Sequence, residues 1–208
     1  LGSLLELLSD FNGAVKLYRE SLSTVSGKRD ELYWRIGSCF QRLGQHEAAA
    51  SAYQECSRSS RFILGRLAYG EVLFLLGDPL PAQKIASECF REFARDPETF
   101  TPALQIRAWS LRGRAYLAQG NFPSAIKDLK RAAYPESAPK GAEKSLAEAR
   151  NALGACFAFR GEGKAAVGAF RDAIQADQYR IEAWTNLATL YLLAGKDAEA
   201  KGLYQAAS

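Results

Sequence analysis

Apolar residues recur along most of the chain at the spacing i, i+3, i+4 and i+7, which places them on one face of a helix. Proline, glycine and polar residues interrupt this pattern around residues 24–29, 96–102 and 134–144. No long alternation of Val, Ile and Thr between hairpin turns predicts a strand. The pattern therefore predicts an all-α protein built from short helices.

The helical pattern is itself repeated. The final copy, residues 181–208, carries its large, small and turn residues at Trp184, Leu187, Ala188, Tyr191, Gly195, Ala200, Tyr204 and Ala207. One period earlier, at about 34 residues, the same positions are held by Arg150, Leu153, Gly154, Phe157, Gly161, Ala166, Phe170 and Ala173. Further complete copies begin near residues 30, 63 and 106, and a partial one fits the start of the chain.

These residues resemble the signature of the tetratricopeptide repeat, W-x2-L-G-x2-Y followed by a turn glycine and A-x3-F. We call the first of these places the tryptophan position; it is held by Tyr33, Arg66, Trp109, Arg150 and Trp184. Arg66 and Arg150 depart from the signature at this position, and Arg112 departs from it where the signature has leucine. The resemblance implies a right-handed superhelix of antiparallel helix pairs, with the first helix of each pair (helix A) lining a concave groove and the second (helix B) behind it.

We expect one array over residues 1–208 with about six repeats, of which the first and last are partial. The predicted repeats are 1–24, 30–60, 63–96, 106–139, 147–180 and 181–208. The two longest steps between repeats contain proline, which indicates either extended loops or lengthened helices. Leu1, Gly2 and Ser3 are either native or a cleavage scar, in which case the Leu-Gly match at the start is accidental.

Composition narrows the class of protein. The 208 residues are 48% hydrophobic and 24% charged, with a net charge of +4. This charge is too small, and its residues too scattered, to predict nucleic-acid binding. No apolar run is long enough to span a bilayer, and no signal peptide is visible. The cysteines fall at positions that take small residues, so we interpret them as buried, reduced thiols. This indicates a cytoplasmic location, with the nucleus as an alternative, and not secretion.

No set of residues predicts catalysis, a metal site or a cofactor. His46 is the single histidine, and no nucleophile is evidently placed to use it. The sequence GEGK at Gly161–Lys164 lacks the preceding strand and the spacing of a phosphate-binding loop, and it coincides with the turn of a repeat.

The candidate site is the groove face of helix A. The register of the repeat assigns to it Trp34, Arg35, Ser38, Arg42, Leu67, Glu71, Phe74, Arg107, Arg114, Asn151, Phe159 and Asn186. Trp34 is interpreted either as a binding anchor or as packing against the neighbouring helix A. The charges of the Arg and Glu residues on this face cancel, and the middle of the face is apolar. This favours binding of an extended or helical peptide with hydrophobic anchors. The residue pattern with which some family members grip the tail of heat-shock chaperones is absent.

We therefore expect a non-catalytic scaffold or adaptor that binds a peptide or helix of a partner protein within a multiprotein complex. The alternative is a regulatory or targeting domain of a larger enzyme, and RNA binding is a weaker third hypothesis because the groove lacks a regular pair of polar readers per repeat. The last repeat lacks a covering helix. We expect the protein to continue beyond it, or this end to dock onto a partner or a second copy.

Overall fold

The computed structural model describes residues 2–24, 27–58, 62–95 and 100–206. Within these ranges there are twelve helices and no strand, which confirms the all-α prediction. The chain divides into two compact units, residues 1–100 and 101–208, and each contains three helix pairs. The expected single array over the whole chain stays a prediction, as do the repeat limits.

The first unit holds six helices, in which each odd-numbered helix pairs with the one that follows it. They are α1 (Gly2–Leu7), α2 (Phe11–Thr24), α3 (Arg29–Arg42), α4 (His46–Ser57), α5 (Ile63–Leu75) and α6 (Pro79–Arg95).

The second unit holds six more, paired in the same way. They are α7 (Pro102–Ala118), α8 (Phe122–Ala133), α9 (Glu143–Phe159), α10 (Gly163–Ala176), α11 (Ile181–Leu193) and α12 (Asp197–Ala206).

In five of the six described pairs the helices are joined by a tight turn that closes on a glycine, whereas in the α1–α2 turn Ser9 takes the positive φ, at 60°. After α3, Gly44 adopts a φ of 71°, its N–H donates to the carbonyl of Gln41 at 3.1 Å, and the N–H of Gln45 donates to the carbonyl of Phe40 at 2.9 Å. This is the Schellman arrangement, and its positive φ favours glycine because a Cβ would be strained there. The same positive φ occurs at the predicted turn glycines Gly77, Gly120, Gly161 and Gly195.

Within a pair, a small residue of the first helix lies against a large residue of the second. A Cβ added to Gly37 would lie 2.5 Å from the ring of Tyr53, and one added to Gly154 would lie 2.6 Å from the ring of Phe170. Both rings are buried. The small residues of the repeat pattern therefore allow the close approach of the two helices on which each pair depends.

Two helices are longer than the repeat pattern required. α7 begins at Pro102 and α9 at Glu143, each four residues before the predicted start of its repeat. Thr101 caps α7 by accepting a hydrogen bond from the N–H of Leu104 at 3.4 Å, and Pro102 occupies the first turn, where its missing N–H costs nothing. Part of each long step is thus lengthened helix. Residues 96–99 of the earlier step lie outside the described residues.

All four cysteines are buried free thiols, as predicted. They are Cys39, Cys56, Cys89 and Cys156. Burial raises the pKa of the Cys56 thiol to about 12 and that of each of the other three to about 11. They act as small hydrophobic residues of the helix seams.

Candidate functional site

Three of the predicted groove residues meet in one pocket of the first unit. The pocket has a volume of about 430 Å³ and lies between the first helices of two successive pairs, α1 and α3. Arg35, Ser38 and Arg42 line it from α3, where they stand three and four residues apart on one face of the helix. The opposite wall includes Glu6 and Leu7 of α1. The three α3 residues that the repeat register assigns to the groove therefore share one surface.

The two arginines of this pocket differ in how they are neutralised. Arg35 lies 3.1 Å from Glu31 on its own helix and 3.6 Å from Glu6 on α1, and it donates to the hydroxyl of Ser3 at 3.3 Å. Arg42 is exposed, and within the described residues it has no ion-pair or hydrogen-bond partner. Arg35 therefore joins the two helices, while Arg42 presents an uncompensated positive charge.

The remainder of the pocket combines hydroxyl groups with apolar surface. Ser3 and Ser9 contribute hydroxyls, Phe11 contributes a ring, and the side chain of Leu7 is 82% exposed. The pocket therefore offers the cation of Arg42 beside an apolar surface. It suits a segment that carries a carboxylate next to an apolar side chain, both of which are common in peptides.

Two predicted groove residues pack inward. Leu67 is fully buried, with 0% of its surface exposed, so it has no surface to offer a partner. Its place on the helix-A face does not give exposure because this position of α5 is covered by neighbouring residues. Trp34 is half-buried and packs against a cluster that includes Tyr53 and Ala68, the latter on the next helix A. This matches the packing interpretation of Trp34.

The other predicted residue pair of α5 lies at an intermediate depth. Glu71 and Phe74 are both half-buried, and both make interactions with other residues of the chain. Phe74 is followed by Leu75 and Leu76, which are 50% and 39% exposed. This end of α5 is the most apolar exposed part of the helix.

In the second unit, the predicted groove residues Arg114, Asn151 and Asn186 take part in side-chain contacts between neighbouring helices. Arg114 of α7 lies 3.2 Å from Glu148 of α9, and Glu148 also lies 3.1 Å from Arg180, which precedes α11. Asn186 of α11 donates to the side-chain oxygen of Asn151 of α9 at 3.0 Å. The helix-A faces of this unit are thus adjacent, and their polar groups are largely occupied by each other.

Two predicted residues of the second unit stand apart from this network. Arg107 is half-buried and interacts within the chain. Phe159 is 74% exposed at the end of α9, with its ring 5.9 Å from that of Phe122 on α8. An exposed aromatic ring that is held by another ring loses little freedom on binding, which is a property of binding anchors.

Some pocket residues were missed by the register. Glu6, Leu7 and Phe11 lie in the partial first repeat, to which the register assigns no groove positions. The signal that could have found them is the Ala14 and Tyr18 match, which fixes the register of α2 and hence places the preceding helix as a helix A.

The described ranges lack the features of two other classes of site. Within them, no three His, Cys, Asp or Glu side chains are placed to hold a metal ion. No helix in those ranges is both long and apolar enough to cross a membrane. His46 is half-buried at the start of α4.

The sequence profile of the tetratricopeptide repeat matches residues 30–61 and 106–134, which cover most of the pairs α3–α4 and α7–α8. These two segments are tetratricopeptide repeats. No protein of curated function matches its sequence. The chain is similar in structure to one chain in the crystal structure of the Cut9–Hcn1 hetero-tetramer of the APC/C, with a TM-score of 0.81 and 18% identity over 99% of this chain. It spans 38% of the length of that chain.

Smaller tetratricopeptide repeat proteins have the same fold. TTC0263 of Thermus thermophilus has a TM-score of 0.66 and 21% identity, with 86% of this chain and 89% of that chain covered. YrrB, described as having an unusual peptide-binding site, has a TM-score of 0.55 and 15% identity, with 91% and 90% covered. At these identities the likeness concerns the fold.

Proposed function

We propose that this protein is a non-catalytic scaffold or adaptor, and that it binds a peptide or helix of a partner protein on its helix-A face. The observation that carries the proposal is the α1–α3 pocket, where Arg35, Ser38 and Arg42 come together beside apolar surface. Stacked helix pairs expose long binding surfaces of this kind. The proposed location is the cytoplasm or the nucleus.

The pocket defines the chemistry of the partner segment. Arg42 is exposed and uncompensated, so a carboxylate bound there gains a charge-assisted hydrogen bond without first breaking an internal ion pair. Leu7 and Phe11 offer apolar surface for a neighbouring aliphatic or aromatic side chain. The partner segment is therefore an acidic and apolar peptide that is seated between α1 and α3.

The similar structures are compatible with this function. The Cut9–Hcn1 crystal contains a hetero-tetramer, and YrrB is described as having a peptide-binding site. We infer the same class of activity here, with the groove residues of this chain defining its own partner. We propose that the module acts within a multiprotein complex. The alternative is that it is the regulatory or targeting part of a larger enzyme.

The test is affinity purification from a lysate of the source organism, read by quantitative mass spectrometry. The variant Arg42→Glu reverses the charge of an exposed side chain that has no described partner, so it leaves the fold intact. We expect it to lose the proteins that the wild-type groove retains. Lys127→Glu, on the exposed face of α8, makes the same change of charge outside the groove and serves as the matched control. Equal recovery with wild type, Arg42→Glu and Lys127→Glu would contradict the proposal.

A further inference from the structure

A second pocket of the first unit lies away from the α1–α3 pocket. Its volume is about 490 Å³, and it is lined by the end of α4, the start of α5 and the last three turns of α6. Four arginines line it, Arg58, Arg66, Arg91 and Arg95, and nothing in the repeat signature requires any of them. We propose that this pocket binds a phosphate group. The proposal is independent of the groove function.

The pocket occurs where the repeat departs from its signature. Arg66 holds the tryptophan position of its repeat, and the corresponding residue in two other repeats is Trp109 or Trp184. In the second unit, Trp109 packs against the hydrophobic core beside α7 and α8. A guanidinium is narrower than an indole and is polar, so the replacement leaves space at this position and lines that space with hydrogen-bond donors.

Arg66 is the buried member of the four. Its side chain is 11% exposed, and one of its terminal nitrogens lies 3.2 Å from Glu88 of α6. This ion pair fixes the plane of the guanidinium against α6, while its other N–H groups stay available for a ligand. A donor whose position is already fixed loses little entropy on binding. Arg66 therefore provides a pre-oriented floor for the pocket.

The charges around the cavity leave a positive excess. The lining contains four arginines, of which Arg66 pairs with Glu88. Arg58 pairs with Glu55 beside the pocket, so the excess is one positive charge. Glu92 pairs with Arg95 at 3.2 Å. Arg91 is exposed, and among the residues that the structure describes it has no ion-pair partner.

A phosphate monoester suits a cavity that is lined by four guanidinium groups. It carries a charge of about −1.5 to −2 near neutral pH and has three acceptor oxygens, whereas a single carboxylate supplies a smaller charge and two oxygens. Arginine forks bind such oxygens in pairs. Arg58 is held by Glu55 at 2.7 Å near the pocket mouth and completes the ring of donors.

Arginines near the ends of α4 and α6 have a competing explanation. Basic side chains in the last turn of a helix interact favourably with its free carbonyls. That role alone predicts a loss of stability when such an arginine is replaced and no effect of phosphate. Binding of phosphate in a manner that depends on these residues separates the two explanations.

The experiment titrates the full chain with inorganic phosphate and follows the amide signals of residues near the pocket by NMR, with sodium chloride at matched ionic strength as the blank. We expect saturable shifts around Arg66 and Arg91. Arg91→Gln removes one exposed, unpaired guanidinium, and we expect it to weaken phosphate binding about tenfold, the worth of one charged hydrogen bond. Arg66→Trp restores the signature residue, and we expect a folded chain that binds no phosphate.

The matched control is Lys127→Gln, which removes an exposed positive charge of α8 outside both pockets; its phosphate affinity should equal that of wild type. Two further probes separate the sources of the phosphate. A phosphoserine peptide that binds more tightly than glycerol 2-phosphate indicates a phosphorylated protein, and equal binding indicates a small phosphate monoester. Absence of saturable shifts in wild type would overturn the proposal. Unchanged affinity in both Arg91→Gln and Arg66→Trp, or a loss confined to Lys127→Gln, would do so as well.

Discussion

The guanidinium of Arg112 forms two parallel hydrogen bonds with the carboxylate of Asp128. The Nε–Oδ2 distance is 2.6 Å and the Nη2–Oδ1 distance is 3.0 Å. Arg112 lies on α7 at the leucine position of the signature, and Asp128 lies opposite it on α8 and is 3% exposed. An apolar contact of the usual repeat is therefore replaced, between the two helices of one pair, by an ion pair that satisfies both partners.

Removal of one partner of this pair should be costly. Asp128→Ala leaves the guanidinium of Arg112 largely buried and without its carboxylate. We expect the free energy of unfolding to fall by about 3–5 kcal/mol, as measured for broken buried ion pairs. The measurement is urea denaturation followed by circular dichroism.

Replacement of both partners should be far less costly. Arg112→Leu combined with Asp128→Leu restores the apolar contact of the signature, and such exchanges are often neutral or stabilising. We expect the free energy of unfolding of the double variant to be no more than about 1 kcal/mol below that of wild type. A double variant as unstable as Asp128→Ala would mean that the ion pair has no apolar equivalent in this helix pair.

Two glycines within helices should respond to alanine in opposite directions. A Cβ at Gly154 of α9 would overlap the ring of Phe170, with its nearest atoms at 2.6 and 2.7 Å, whereas a Cβ at Gly168 of α10 meets nothing within 4 Å. Because overpacking a buried contact costs about 1–3 kcal/mol, Gly154→Ala should destabilise the chain. Gly168→Ala should stabilise it by about 0.5–1 kcal/mol, the difference in helix propensity. Thermal denaturation of both variants checks the signs, and equal effects would contradict the packing described for α9 and α10.

The repeat register predicted the fold because its information is local. A glycine at a turn, a small residue on helix A and a large residue on helix B act within one helix pair, so Gly44 or Gly154 could be interpreted from the sequence alone. The contact partner of a residue that departs from the signature could not be predicted in this way. Nothing in the sequence pairs Arg112 with Asp128, because any of several acidic residues on neighbouring helices could have met it.

The candidate site was predicted only in part, for a related reason. The register places Arg35, Ser38 and Arg42 on one face of α3, and they do line one pocket. The register predicts which face of the helix a side chain lies on, but not how far neighbouring residues bury it. Leu67 was therefore assigned to the groove although it is fully buried. Depth depends on which side chains of neighbouring helices cover a position, and these belong to other repeats.

The buried thiols should make the stability of the chain fall at alkaline pH. Burial raises the pKa of Cys39, Cys89 and Cys156 from 9.0 to about 11 and that of Cys56 to about 12. Between pH 9 and 11 the unfolded chain has lost these protons while the folded chain keeps them. The unfolded state then binds fewer protons, so the free energy of unfolding decreases as the pH rises.

A variant with all four cysteines replaced by alanine isolates this contribution. Its free energy of unfolding, measured by urea denaturation across the same pH range, should fall less steeply than that of wild type. A thiol reagent should label the folded wild type slowly and the urea-unfolded chain at all four sites, because the thiolate is the reactive form. Fast labelling of the folded chain would contradict the burial of these thiols.

Arg150, at another tryptophan position, should be needed for stability and not replaceable by lysine. Its guanidinium donates to the carbonyls of Ala133 at 3.1 Å and Asp172 at 3.2 Å, and so ties α9 to both α8 and α10. Arg150→Ala should lower the free energy of unfolding by about 1–3 kcal/mol, because two carbonyls lose a charged donor.

Arg150→Lys should recover only part of that loss, since an ammonium group lacks the planar fork that reaches both oxygens. Urea denaturation measures both variants, and Lys127→Ala, at an exposed position of α8, should stay within about 0.5 kcal/mol of wild type. Full recovery by lysine would show that charge alone, and not the fork, matters at this position.

The most direct test of the central claim is site-specific photo-crosslinking in cells of the source organism. A photoreactive phenylalanine analogue is placed at Ser38, inside the α1–α3 pocket, or at Lys127, on the exposed face of α8. We predict a discrete protein crosslink from position 38 that disappears when Arg42→Glu is added, and no such crosslink from position 127. A crosslink from position 127 alone, or one from position 38 that survives Arg42→Glu, would contradict binding of the partner in the pocket.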